Sequence, residues 1–208
     1  MASTRHGRNH SATGILFATA FALSVAPGCR TTEGGSLVRT SDGFRLTESG
    51  SVGLGDRAHF REATASLESN ALDLAIEALE EAVEASPERA APRVNLAIAL
   101  RRADRLAEAE EVLREAIRVH PRHVVAHNEL GIVYRRLGRL EASRTSYERA
   151  LPLHGDFHFA HRNLAILCDL FLDDVACALT HYRRTLEIVP DDSEVAMWIE
   201  DLEQRHER

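Results

Sequence analysis

Beyond residue 56 the chain repeats itself with a period of about 34 residues, and this repeat constrains the fold more than any other feature. Pro87, Pro121 and Pro190 mark corresponding points, and a related turn at Gly155 fills the gap. Ahead of each point, a small residue is followed four positions later by a bulky one and three positions after that by another small one. That spacing lines one face of a helix, which a neighbouring helix can approach closely at the small residues. The four triplets are Ala75, Leu79 and Ala82; Ala109, Leu113 and Ala116; Ser143, Tyr147 and Ala150; and Ala178, Tyr182 and Thr185.

The first half of each repeat predicts a second helix. The stretches NLAIALRRADRLAEA, ELGIVYRRLGRLEAS and NLAILCDLFLDDVACA each have Leu next to Ala or Gly at their second and third positions, followed three residues later by Leu100, Tyr134 or Cys168. This pattern resembles the tetratricopeptide repeat, a helix-turn-helix unit of 34 residues. The resemblance implies an all-α fold, a right-handed solenoid with four units at 56–89, 90–123, 124–157 and 158–192. The first unit is degenerate in its leading helix, and the fourth has one extra turn residue around LFLDD.

Residues 193–208 are predicted to form a capping helix, because a stack of repeats needs a polar outer face at its end. Asp192 or Ser193 can cap its N-terminus. A stripe at helical spacing would face the stack: Val195, Trp198, Ile199 and Leu202.

The N-terminus is typical of an export signal. Arg5 and Arg8 precede an apolar run from residue 15 to residue 25, which is shorter than the roughly 20 residues that span a bilayer. The run ends in Ala-Pro-Gly-Cys, which resembles the lipobox of bacterial lipoproteins, so residues 1–28 are expected to be cleaved and Cys29 lipidated. A plain secreted protein and an uncleaved anchor are the alternatives. By the same resemblance, Arg30 after the cysteine implies the periplasmic side of the outer membrane.

Residues 29–55 are rich in Gly, Ser and Thr, the composition of a flexible tether. Two short alternating runs flank Asp42-Gly43, and because an isolated hairpin is marginal in water, either disorder or a weak hairpin is expected rather than a domain. The formal net charge is −7, and it becomes −9 once Arg5 and Arg8 are removed with the signal. That balance argues against nucleic acid as a partner.

The resemblance places a concave, partner-binding face on the leading helices. Its apolar centre with arginine margins suits a helix or an extended peptide that carries acidic residues, although arginines at a helix C-terminus also complement its dipole and Val or Ile can simply pack. Asn95 and Asn163 match a carboxylate clamp of some tetratricopeptide proteins, but Glu129 stands between them and no such clamp is predicted. The residues expected on this face are Val94, Ile98, Arg101 and Arg102; Val125, Asn128, Ile132, Arg135 and Arg136; and Phe159, Arg162, Ile166 and Asp169.

Histidines and cysteines allow two further hypotheses. Histidines recur at matching points of two units, His120, His123 and His127, and His154, His158 and His161. Because no carboxylate or cysteine keeps a fixed register with them, caps and packing are favoured, and no metal site is predicted. Cys168 and Cys177 flank the turn of the fourth unit, where a disulfide or two buried apolar residues are both consistent with the sequence.

The sequence has no nucleophile elbow, no phosphate-binding glycine loop and no paired carboxylates in a cleft, so neither an enzyme nor a cofactor is predicted. The expected function is a tethered scaffold for a protein partner, as a monomer or weak homodimer that meets the membrane only through its lipid. The last two units also resemble small tetratricopeptide proteins that accompany TonB, ExbB and ExbD-type transport systems. The alternatives are a pilotin-like factor for pilus or secretin assembly and an adaptor for a cell-wall enzyme or protease.

Overall fold

The computed structural model describes residues 36–40, 43–47, 62, 63, 65–67 and 69–207. The signal, Cys29 and most of the tether lie outside these residues. The first described helical residues are 62, 63 and 65–67. The elements are β1 Ser36–Thr40, β2 Gly43–Thr47, α1 Leu72–Ala85, α2 Ala90–Arg102, α3 Leu106–Val119, α4 Val124–Arg136, α5 Leu140–Ala150, α6 His158–Leu170, α7 Val175–Ile188 and α8 Ser193–His206, with a 3₁₀ turn at Leu151–Leu153.

The two strands form the hairpin, which was one of the two alternatives that the sequence allows here, with the turn shifted by one residue. β1 and β2 pair antiparallel, and Thr40 opposite Gly43 is the last pair before the loop. Gly43 is therefore the first residue of β2 rather than part of the turn. The loop, residues 41 and 42, lies outside the described residues.

The all-α prediction for the repeats is confirmed, since every regular element between residues 69 and 207 is helical. The leading helices α2, α4 and α6 pack against the trailing helices α3, α5 and α7 of their own units. Each trailing helix also contacts the next leading helix, and leading helices contact one another along the stack. This is the consecutive pairing of an α-solenoid. No helix in the described part of the chain combines the length and the apolar character that crossing a bilayer requires.

The small-bulky-small triplets form the core between paired helices. Leu79, Leu113, Tyr147 and Tyr182 are at most 1% exposed. The small residues of the four triplets are buried as well, so the trailing helices approach their neighbours at those positions. In the third unit the Tyr147 ring lies directly against the backbone of Gly131, where an added Cβ would have no room.

The turn inside each unit contains one residue with a positive φ. These are Asn70 at 59°, Asp104 at 63°, Gly138 at 72° and Asp173 at 51°, all residue types that tolerate the left-handed region. The next residue donates its N–H back to the end of the leading helix, for example from Arg105 to the Leu100 carbonyl at 2.9 Å.

The first unit closes its turn in the same way, with the Ala71 N–H donating to the Ser66 carbonyl at 2.8 Å. The leading helix of the first unit therefore has a degenerate sequence, but its C-terminal hydrogen bond is the same as in the second and third units. The extra residue predicted in the fourth unit is present, because residues 171–174 separate α6 from α7 where residues 103–105 separate α2 from α3.

The capping helix α8 begins as predicted, with the Asp192 side chain accepting from the Val195 N–H at 3.1 Å. Val195 and Leu202 of its apolar stripe are buried, and Trp198 and Ile199 are half-buried against the same core cluster. The stack is thus covered at its C-terminal end.

Candidate functional site

The candidate site is the face formed by the leading helices α2, α4 and α6. Ile98, Ile132 and Ile166 stand 34 residues apart at the same helical position, and each is half-buried. Ile98 packs against the core cluster of the first units, while Ile132 and Ile166 pack against that of the last ones. These three side chains form an apolar row with part of its surface accessible, which we call the isoleucine row.

Three predicted contact residues do not have an accessible surface. Val94 is 0%, Val125 8% and Asn128 3% exposed. Val94 and Val125 belong to the core cluster of the first units. The expectation that these three side chains are accessible on the face was wrong, because they are buried in the packed stack.

Two of the predicted margin arginines fasten the turn of the preceding unit. Arg102 donates to the Leu67 carbonyl at 2.8 Å and to Asn70 Oδ1 at 2.9 Å. One repeat later, Arg136 donates to the Arg101 carbonyl and to Asp104 Oδ1, each at 2.6 Å. Both arginines therefore satisfy a helix C-terminus and a turn side chain at once.

Arg101 is also occupied within the protein. Its guanidinium pairs with Glu129 Oε2 at 3.0 Å, and the two side chains are 22% and 11% exposed. Burial raises the pKa of Glu129, and the adjacent Arg101 guanidinium opposes that rise. Asn128 completes this polar group by accepting from Asn163 Nδ2 at 2.9 Å, which links α4 to α6.

The fourth unit uses its predicted site residues to hold the capping helix. Arg162 pairs with Glu194 and lies 4.9 Å from the centroid of the Trp198 ring. Asp169 accepts from Arg205 at 2.9 Å and from the Tyr182 hydroxyl at 3.3 Å. Phe159, by contrast, is half-buried and packs with Phe157, whose ring centroid is 5.4 Å away.

Arg135 is the exception among the predicted arginines. Its guanidinium carbon lies 5.7 Å from the centroid of the Phe171 ring. Among the described residues no carboxylate pairs with it. Phe171 and its neighbour Leu170 were not predicted as site residues, yet they are 47% and 65% exposed.

The positions of a carboxylate clamp are filled by two buried residues, Asn95 and Glu129, and by the half-buried Asn163. Asn95 is 3% exposed and its Nδ2 has no hydrogen-bond partner among the described residues. Glu129 is paired with Arg101 and Asn163 with Asn128. The three residues therefore occupy equivalent positions of successive leading helices, where Asn95 is buried and Glu129 and Asn163 are already paired within the protein.

Three of the predicted histidines, His123, His127 and His161, make contacts within the fold. His123 Nδ1 accepts from the Ala126 N–H at 3.2 Å, and His127 Nε2 lies 2.9 Å from the Pro121 carbonyl, to which it can donate. His161 Nδ1 and His181 Nδ1 are 2.9 Å apart, so one ring donates to the other between α6 and α7. Burial and the neighbouring His181 lower the pKa of His161 to about 4.

The two cysteines of the fourth unit lie against each other across its turn. Cys168 and Cys177 form a disulfide, with an S–S distance of 2.03 Å. Asp174 stands beside them and accepts from Arg144 at 3.0 Å, which ties this turn to the third unit. Among the described residues, Cys168, Asp174 and Cys177 are the one close group of three potential metal ligands, and its two sulfurs are bonded to each other.

Comparisons with known proteins support the repeat. Two family models described as tetratricopeptide repeat match residues 66–121 and 94–156. No curated protein matches the sequence. A thermophilic tetratricopeptide protein of Thermus thermophilus is 26% identical, with 71% of this chain and 80% of that chain covered and a TM-score of 0.63.

Two further solved structures share the fold. PilF of Pseudomonas aeruginosa is 20% identical, with 73% of this chain and 69% of that chain covered and a TM-score of 0.67. YrrB, described as a tetratricopeptide protein with an unusual peptide-binding site, is 15% identical, with 68% and 73% covered and a TM-score of 0.58. The predicted tetratricopeptide repeats are thus confirmed by the family models over residues 66–156, and the solved structures show the same fold.

Proposed function

Because this chain carries tetratricopeptide repeats, which build scaffolds for protein–protein interaction, we propose that it is a non-catalytic scaffold that binds a helix or extended peptide of a partner protein. The observation that carries this proposal is the isoleucine row. Ile98, Ile132 and Ile166 repeat one half-accessible apolar position along three parallel leading helices. A row of repeated apolar positions of this kind suits an elongated ligand with apolar side chains along one edge.

The proposed place of action is the periplasmic face of the outer membrane. The support is the sequence Gly28-Cys29 after a short apolar run, and Arg30 behind it. A lipid on Cys29 would tether the scaffold without embedding it. Replacement of Cys29 with Ala should move the protein from the membrane fraction to the soluble periplasmic fraction, and an unchanged distribution would reject the tether.

The partner proposed first is a component of an energised transport system of the TonB type, on the resemblance of the last two units to small proteins that accompany such systems. The test is a crosslinked capture from membranes with the full chain, tagged at its C-terminus, and mass spectrometry of what is retained. A specific partner should be captured by the wild type and lost with Ile98→Glu and Ile132→Glu. The matched control is Glu77→Arg on the exposed surface of α1, which should capture as the wild type does.

The identity of the captured protein separates the candidate systems. A transport component supports the proposal in full, whereas a secretin or a cell-wall enzyme moves the scaffold to another envelope system. Capture that is unchanged by both isoleucine variants, while they remain folded, would refute the assignment of this face.

A further inference from the structure

One interhelical pair on the leading helices is not repeated along the stack. Arg101 of α2 pairs with Glu129 of α4 at 3.0 Å. One repeat later, the corresponding residues are Arg135 of α4 and Asn163 of α6. An amide cannot neutralise a guanidinium, and the Asn163 nitrogen already donates to Asn128. Because Asn163 stands where the preceding repeat has Glu129, Arg135 has no carboxylate partner among the described residues.

A second repeated contact stops in the same place. Arg102 and Arg136 each reach back to the turn of the preceding unit, and the next residue in this series is Leu170. The turn that an arginine would reach from there contains Gly138, which has no side chain to accept a hydrogen bond. Leu170 instead extends towards solvent and is 65% exposed.

The two interruptions are adjacent in space. The Arg135 guanidinium carbon is 5.7 Å from the centroid of the Phe171 ring, and Phe171 follows Leu170. Ile132 precedes Arg135 by one helical turn, and Ile166 precedes Leu170 by one turn, so each isoleucine shares a face with the residue that follows it. A cation thus stands one helical turn from the middle of the isoleucine row, with two exposed apolar side chains beside it, and we call this group the Arg135 site.

We propose that the Arg135 site determines which peptides the scaffold accepts, by binding a carboxylate that adjoins a bulky apolar side chain in the partner. This inference rests on the proposed function of the same face. A guanidinium makes charge-assisted and often bidentate hydrogen bonds to a carboxylate. The Phe171 ring near the guanidinium also reduces its exposure to water, which strengthens such bonds. Leu170 and Phe171 then bury the apolar neighbour of the bound carboxylate.

The test is a binding measurement with two fluorescein-labelled peptides and the full chain. In the first peptide of seven residues, glutamates alternate with leucines, and in the second, glutamines replace the glutamates. The wild type should bind the glutamate peptide about tenfold more tightly, as expected for a charge-assisted hydrogen bond. That preference should fall below about twofold in Arg135→Gln.

Asn163→Glu is the sharper variant, because it keeps Arg135 and gives it the partner that Glu129 provides for Arg101. It should abolish the preference for the glutamate peptide, while Asn163→Gln, which adds no charge, should retain it. Thermal unfolding followed by circular dichroism establishes that the variants are folded.

Equal affinity of the wild type for the two peptides, or no binding of either, would overturn the inference. A preference that survives both Arg135→Gln and Asn163→Glu would overturn it as well. The capture experiment depends on Ile98 and Ile132 rather than on Arg135. A partner captured through the isoleucine row, together with no charge preference, would therefore reject this inference and leave the proposed function standing.

Discussion

Replacement of Gly131 with alanine should create a direct clash in the core of the third unit. A Cβ added to Gly131 of α4 would lie 2.4, 2.6 and 2.8 Å from the Cε1, Cδ1 and Cζ atoms of Tyr147 on α5. Carbon atoms in contact are normally about 3.5–4 Å apart. Tyr147 is fully buried, so its ring cannot swing into solvent to make room. The Ser143 hydroxyl also donates to the Gly131 carbonyl at 2.7 Å and holds the two helices at this spacing.

The expected cost is the difference between two effects. Overpacking of a buried site costs about 1–3 kcal/mol, whereas alanine in a helix interior is about 0.5–1 kcal/mol better than glycine. The free energy of unfolding should therefore fall by about 1.5 kcal/mol in Gly131→Ala. In a protein of this size that corresponds to a decrease in Tm of about 3–6 °C.

Chemical and thermal unfolding of four proteins would test this reasoning: the wild type, Gly131→Ala, Tyr147→Leu and the double variant. The double variant recreates the pair that the second unit has at the same positions, Ala97 and Leu113. It should be at least about 1 kcal/mol more stable than the sum of the single changes predicts, because the smaller side chain removes the clash. Additive effects, or a Gly131→Ala variant within about 0.5 kcal/mol of the wild type, would refute the close contact as the reason for glycine.

Three further predictions concern the turns and the fourth unit. Cys177→Ala, or a thiol reductant, should lower the free energy of unfolding by about 2–3 kcal/mol, since Cys168 and Cys177 close a short loop; equal urea midpoints with and without reductant would contradict this. Stability should fall as the pH decreases from about 6.5 to 4, because the unfolded chain takes up protons that buried His161 and His181 resist, their pKa values being lowered in the fold. His161→Gln should flatten that decline, measured as urea midpoints at pH 7 and 5, and an unchanged slope would exclude this pair as its cause. Gly138→Ala should cost about 1 kcal/mol through its φ of 72° alone, because no atom lies within 4 Å of the added Cβ, and a midpoint equal to that of the wild type would refute a conformational role.

The helices were predictable because each unit repeats the same local pattern. The spacing of Ala109, Leu113 and Ala116 recurs in every trailing helix. A wrong assignment of the buried face in one unit would therefore have disagreed with the other three units. The extra residue near Asp173 was visible for the same reason, as a change of period from 34 to 35. The hairpin turn lies one residue earlier than the Asp-Gly dipeptide predicts. Its position depends on the pairing of Thr40 with Gly43 between the strands and not on the dipeptide alone.

The accessible part of the face was less predictable, because burial and ion pairing depend on residues more than 25 positions apart. Nothing local distinguishes Val94, which is buried, from Ile98, which is half-accessible. Likewise Arg101 and Arg135 occupy equivalent positions, but the residue on the next leading helix is Glu129 for Arg101 and Asn163 for Arg135. An alignment of the repeats places Glu129 opposite Asn163. It would have revealed the difference only to a reader who knew that residue 129 contacts residue 101.

Departures from a repeat therefore carry more information about binding than its regular positions do. A contact such as Arg136 to Asp104, which reproduces Arg102 to Asn70, is explained by the need to join one unit to the next. The same need cannot explain Leu170, which stands where the earlier units have Arg102 and Arg136. An exposed leucine side chain makes no hydrogen bond to the preceding unit. The other predicted arginines on this face are paired within the protein. Arg135 lies beside exposed apolar side chains and, among the described residues, makes no ion pair that joins two units, so it is available to a ligand. For this chain, the search for a partner should accordingly begin where the third and fourth units meet.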